Sequence, residues 1–274
     1  MCRIFGCVAN EPVSVRHELL DADNPMIRQA VSHDSGWGMA VYERADGEEP
    51  EVVRFPRAAH VDGSFHGATE RRGRIFNVHV RRATMGGLTL ENTHPFQLAS
   101  YTFGHNGTVL LFSRLLGPDV RRPAGQTDSE HLFNHLMCEF DDGDVVGSLR
   151  RAMTAVVDRS PFSGLNFLFS DGERLFAYRL GVFELHWLAR PGQLLVASER
   201  LTARERWHTV GQDVLLTLDP RDELAEPHAE RLLGDAVVER AEIVKFHEGS
   251  ELGGEARGSF AAERAARLSS AAPE

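Results

Sequence analysis

The chain has 274 residues, 42% of them hydrophobic and 8% aromatic, enough to build a sizeable core without disulfide or metal staples. A net charge of -10 disfavours a general nucleic-acid binder, and no stretch approaches the run of about 20 apolar residues that crosses a bilayer, so neither nucleic acid nor membrane is an expected partner. Three cysteines, Cys2, Cys7 and Cys138, fit neither a disulfide framework nor paired zinc knuckles, which points to a reducing cytoplasm.

The first segment, CRIFGCVA, is expected to be a strand. No secretory leader is expected ahead of it, because Arg3, Asn10, Glu11 and Pro12 break any apolar stretch; Cys2 also stands where N-myristoylation needs glycine. A short helix around NPMIRQA comes next, then strands at GMAVYER, EVVRF, RIFNVHV and SYTFGH, marked by branched and aromatic residues between turn-rich borders. In TDSEHLFNHLMCEF, Thr127 and Glu130 make a capping-box pattern, and Leu132, Phe133, Leu136, Met137 and Phe140 follow helical spacing. VVGSLRRAMTAVV repeats that spacing with Val145, Leu149, Ala152, Met153 and Val156. A second strand group follows at LNFLFS, RLFAYR, FELHWLA, QLLVAS and DVLLTL, with a hairpin turn at Ser170, Asp171 and Gly172. No repeat or linker divides the chain, so one domain is expected over residues 2–250, with 251–274 a flexible tail lacking a large apolar face. The fold class is α+β: two mostly antiparallel sheets packed on each other, with helices covering their outer faces.

Cys2 raises a chemical question, since trimming of Met1 leaves one residue with both a thiol and a free α-amine. A thiol attacks only as thiolate, and an α-amine, with a reference pKa of about 8, can take its proton directly or through a water. Nucleophile and base then coincide in one residue, as in the threonine–amine pairing of acyl transfer. On position alone, Cys2 is better read as the start of an edge strand. Four stretches change that balance: HVRRATMGG at His79 to Gly87, NTHPF at Asn92 to Phe96, HNG at His105 to Gly107, and TDSE at Thr127 to Glu130.

In that order behind Cys2, these stretches resemble the class II glutamine amidotransferases, whose fold is that of the N-terminal nucleophile hydrolases. The likeness covers Cys2 to the end of the first long helix, and continues more weakly to VASE at Val196 to Glu199. The stand-alone glutamine amidotransferase-like proteins match best, sharing NTHPF and the GWG of Gly36 to Gly38. The resemblance implies a four-layer αββα sandwich, no cofactor, and a glutamine or γ-glutamyl small molecule as substrate.

Attack on an amide carbonyl builds negative charge on oxygen, which fixed donors must meet. The resemblance gives that oxyanion-hole role to the Asn106 side chain and the Gly107 N–H. HNG alone would be read as a hairpin turn, and turn and hole can coincide. Glutamine also carries an α-carboxylate and an α-ammonium. The family pattern falls on Arg81, Thr84 and Asp128, and the planar fork of Arg81 suits a carboxylate while Asp128 suits the ammonium. The alternatives are a surface arginine at a strand end, which Arg82 beside it is expected to be, and an acid favoured in a first helical turn by the macrodipole.

Supporting positions are Asp34, a candidate to orient the N-terminal amine, Trp37 within GWG, and His79, His94 and His105. The three histidines are expected to be structural or substrate-orienting, because their spacing matches no zinc motif. Two departures from the family pattern stand out. Met85 follows the RxAT threonine, where synthase-linked amidotransferases often have histidine, and Arg200 follows VASE, where proline is frequent.

The expected reaction is hydrolysis of the glutamine side-chain amide by Cys2, releasing ammonia and glutamate. One domain leaves no length for an ammonia-using synthase, so the ammonia is expected to pass to a separate partner enzyme, or release is itself the purpose. Two alternatives stay open: hydrolysis of a γ-glutamyl amide conjugate, as relatives perform in thiol or ergothioneine metabolism, and a non-catalytic glutamine-sensing subunit. Retention of Cys2, Arg81, Asn106, Gly107 and Asp128 weighs against the second.

Overall fold

A computed structural model describes residues 2–138 and 140–245. Its strands are β1 (Arg3–Val13), β2 (Trp37–Tyr42), β3 (Glu51–Phe55), β4 (Gly73–Val80), β5 (Phe96–Leu98), β6 (Tyr101–Asn106), β7 (Asn166–Ser170), β8 (Leu175–Arg179), β9 (His186–Arg190), β10 (Gln193–Ala197), β11 (His208–Thr209), β12 (Val214–Leu218) and β13 (His228–Arg231). The α-helices are α1 (Met26–Gln29), α2 (Gly63–Ala68), α3 (Asp128–Cys138), α4 (Val145–Arg159) and α5 (Asp235–Val238).

Seven strands form one sheet in the order β11-β9-β10-β1-β4-β2-β3, and six form the other in the order β13-β12-β8-β7-β6-β5. Their pairings are antiparallel, as expected. Side chains alternate between two apolar layers because successive residues of a strand point to opposite faces. In β1, Ile4 and Val8 join Ala40, Ile75, Leu168, Ala177, Val196 and Leu216 between the sheets, whereas Phe5 and Cys7 join the helix-side core with Leu19, Met26 and Phe65. On the outer side of the second sheet, Phe103, Phe167, Phe169 and Tyr178 pack with Leu132 and Phe133 of α3 and Leu149 and Met153 of α4. The result is the four-layer αββα sandwich. Each fully buried aliphatic or aromatic side chain stabilises it by about 1.5–3 kcal/mol.

The sheets interleave the chain. β10 returns to pair with β1 and brings β9 beside it, while β5 and β6 leave the first strand group for the second sheet. The α-helices and strands without a sequence signal are short, β5, β11, β13, α2 and α5, as is a π-helical turn at His17–Asp21. A strand of two to four residues shows no usable alternation, so tertiary pairing decides it.

The capping box is half realised. Thr127 Oγ1 accepts from Glu130 N at 3.2 Å, but the Glu130 carboxylate turns away to accept from Ala124 N and Gly125 N, each at 2.7 Å. The hairpin turn joins β7 to β8 as expected, with Asp171 Oδ1 accepting from Glu173 N and Arg174 N, and Gly172 at φ +90°. Among the described residues, no helix is long and apolar enough to cross a membrane. The tail expected at 251–274 lies outside the described residues.

Between the sheets, Asn77 Nδ2 donates to Leu168 O at 3.3 Å and His79 Nε2 donates to His105 O at 3.0 Å. β4 and β6 therefore reach the same end of the sandwich, the end where β1 begins.

Candidate active site

β1 pairs with β4 through Arg3↔Val80 and Ile4↔His79, which sets Cys2 beside Arg81 just beyond the last paired residues. Two side chains of the VASE stretch hold this strand end. Ser198 Oγ accepts from Ile4 N at 3.1 Å, Ser198 N donates to Ile4 O at 3.0 Å, and Glu199 pairs with Arg3 at 3.0 Å. Ser198 and Glu199 had no role in the sequence reading, although VASE itself was the signal.

Cys2 is 9% exposed, and its Sγ lies 3.7 Å from the Arg82 carbonyl oxygen. Burial raises its thiol pKa, Arg81 draws it down, and Asp128 raises it further. Arg81 is buried rather than a surface arginine, whereas Arg82 is exposed. Its guanidinium donates to Gly87 O at 3.0 Å and Met85 O at 2.8 Å, with longer contacts to Gly86 O and Ser35 O. Burial lowers its pKa, and Cys2 and Asp128 act to raise it. Met85 thus enters the site through its backbone carbonyl.

Asp128 opens α3 and is 3% exposed, with Oδ2 accepting from Val109 N at 2.7 Å. Burial pushes its carboxyl up to about 6, against the pull of the Val109 and Ser129 amides and of Arg81. A helix N-terminus favours a carboxylate by only about 0.3–1 kcal/mol, too little to offset desolvation. Cys2, Arg81 and Asp128 therefore form one electrostatic cluster.

Asn106 ends β6 opposite Asn166, is 2% exposed, and has no partner for its Oδ1 among the described residues. Gly107 rests on Gly164, and His105 supports that contact: its Nε2 donates to Gly164 O at 3.1 Å while its Nδ1 meets Ser129 Oγ at 2.9 Å. Thr84 is exposed, and its hydroxyl lies 3.5 Å from that of Thr108.

The supporting positions separate. The His79 ring stacks on His94 at 4.0 Å, and burial lowers the pKa of His79 to about 3, of His105 to about 4, and of His94 well below the usual range. Burial thus keeps these rings neutral near pH 7. Among the described residues no group of three potential metal ligands comes together. Trp37 lies in the helix-side core, on the face opposite the cluster. It stacks on Phe55 at 5.1 Å and donates from Nε1 to Asp62 Oδ2 at 2.9 Å. Its flanking glycine Gly38 makes room for the His94 carbonyl, which a Cβ would meet at 2.2 Å. Asp34 is exposed and accepts from Ser35 Oγ at 3.2 Å.

The family model for class-II glutamine amidotransferases matches residues 1–193. The chain belongs to this family. The chain is 32% identical over 213 residues to an uncharacterized protein of Methanocaldococcus jannaschii, covering 69% of this chain and 54% of that one. It thus spans about half the length of that relative. With YafJ of Escherichia coli, named as a candidate glutamine amidotransferase, it shares 25% identity over 218 residues, 72% of this chain and 80% of that one. Two solved structures share the fold. A glutamine aminotransferase class-II domain protein of Silicibacter pomeroyi superposes with a TM-score of 0.60 at 21% identity, covering 85% of this chain and all of that one. Glutamine phosphoribosylpyrophosphate amidotransferase of Bacillus subtilis superposes with a TM-score of 0.64 at 17% identity, covering 85% and 50%. The αββα sandwich is the fold that these structures share.

Proposed function

We propose that this amidotransferase hydrolyses the side-chain amide of glutamine, with Cys2, freed of Met1, as nucleophile. The observation that carries this reading is the electrostatic cluster of Cys2, Arg81 and Asp128 at the shared end of the two sheets. In attack the thiol proton moves to the α-amine as the C–S bond forms. The carbonyl oxygen becomes an oxyanion, for which Asn106 Nδ2 and the Gly107 N–H are the donors. Collapse breaks the C–N bond, ammonia leaves with the proton held by the amine, and water hydrolyses the γ-glutamyl thioester to glutamate. Arg81 takes the α-carboxylate, Asp128 the α-ammonium, and Thr84 lines the approach. A separate enzyme receives the ammonia, in a reducing cytoplasm.

Release of ammonia and glutamate from glutamine tests this directly. Wild type, Cys7→Ala and Cys138→Ala should turn over, and Cys2→Ala should not. Turnover by Cys2→Ala would remove the assigned nucleophile.

A further inference from the structure

Asn92 lies in NTHPF, and its buried amide, 2% exposed, reaches in two directions. Nδ2 donates to Gly87 O at 3.1 Å, the same carbonyl that accepts from Arg81 Nη1 at 3.0 Å. Oδ1 accepts from Gln126 N at 2.7 Å, two residues before Asp128. This side chain therefore links the loop wrapped around Arg81 to the segment that launches α3.

The surroundings leave the amide little freedom. A Cβ on Gly86, whose φ is +75°, would lie 3.0 Å from Asn92 Nδ2, and one on Gly125 would lie 2.4 Å from Asn92 Oδ1. Glu130 holds Ala124 N and Gly125 N on the far side. Behind Asn92, Arg54 Nη1 donates to Thr93 O at 3.3 Å, and Thr93 Oγ1 donates to Thr89 O at 2.8 Å. One partner is a carbonyl and the other an N–H, so a single orientation of the amide satisfies both.

We infer that Asn92 is a positioning residue that sets the separation between the Arg81 and Asp128 arms, an inference that rests on the head-group roles proposed above. The α-carboxylate and α-ammonium of an amino acid sit on one carbon, so their separation is fixed by the substrate. A small displacement of one arm relative to the other weakens recognition of both charges at once.

Asn92→Asp tests this. It keeps the size of the side chain and the acceptor for Gln126 N, and removes the donor to Gly87 O. Glutamine is compared with 4-aminobutanamide, which lacks the carboxylate, and glutaramate, which lacks the amine. Asn92→Asp should raise KM for glutamine by roughly tenfold or more with a much smaller change in kcat, and discrimination against the two analogues should fall together. Arg81→Ala should lose only the preference for the carboxylate, and Asp128→Ala only that for the amine. The rate at which iodoacetamide alkylates Cys2 should stay that of wild type in Asn92→Asp. Asn92→Ala, which adds no charge, carries the same expectations if the aspartate variant does not fold. Full discrimination in the Asn92 variants, or an equal loss toward all three substrates, overturns the inference. If Arg81→Ala keeps its carboxylate preference, the head-group reading itself fails and takes this inference with it.

Discussion

Gly107 lies so close to Gly164 that a Cβ placed on it would fall 1.9 Å from the Gly164 carbonyl oxygen. His105 Nε2 donates to that same oxygen at 3.1 Å, so the carbonyl that Gly107 touches is also held by a hydrogen bond. Neither contact involves the Asn106 side chain.

Asn106 is for that reason the cleaner probe of the oxyanion hole. Asn106→Ala should lower kcat by roughly 10²–10³, the usual loss for one donor, with KM affected much less. Steady-state glutaminase kinetics read both parameters, and a change confined to KM would assign Asn106 to ground-state binding.

Asp128 should trade stability for function. Its carboxyl is raised by burial from 3.8 to about 6, so the folded state binds that proton more tightly than the unfolded state does. The resulting stabilisation is fully present below pH 3.8 and is lost as pH rises through about 6. Asp128→Asn keeps an acceptor for Val109 N and removes the buried charge. It should be more stable than wild type at pH 8, by on the order of 2–3 kcal/mol, and nearly equal at pH 4. Denaturant melts at the two pH values check this; equal stability at pH 8 would show that the buried charge carries no such cost.

The buried histidines should make the fold acid-labile. His79 and His105 are lowered by burial to about 3 and about 4, and His94 also lies well below 6.5, so unfolding frees rings that readily take up protons. Their stabilisation is present above pH 6.5 and is lost as pH falls toward the folded values. Three rings outweigh the opposing Asp128 over this range. The denaturation midpoint should drop steadily from pH 7 to pH 5, with net proton uptake on unfolding. A flat profile would mean that these rings are already charged in the fold.

The sandwich was legible because its long strands alternate cleanly: Ile4 and Val8 face the other sheet while Phe5 and Cys7 face the helices. Sheet order was not, since the pairing of Phe5 with Ala197 joins distant parts of the chain by backbone bonds that carry no residue code. Among candidate site residues, Cys2, Arg81 and Asp128 do come together, as the motif order suggested. Trp37 stayed ambiguous because both faces of β2 are buried, so its pattern cannot say which layer it enters. Asn92 went without a role because its partners are backbone groups of Gly87 and Gln126, which become neighbours only in the fold.

The most direct test of the nucleophile and its base is an intact-mass measurement, with peptide mapping, on protein quenched during turnover of glutamine. The chain should begin at Cys2, and the acylated fraction should carry one γ-glutamyl group on Cys2. Cys7, fully buried with its thiol pKa raised, and the exposed Cys138 should remain unmodified. Turnover by protein that retains Met1, or a γ-glutamyl group on Cys7 or Cys138, would contradict the assignment of Cys2 as nucleophile and base.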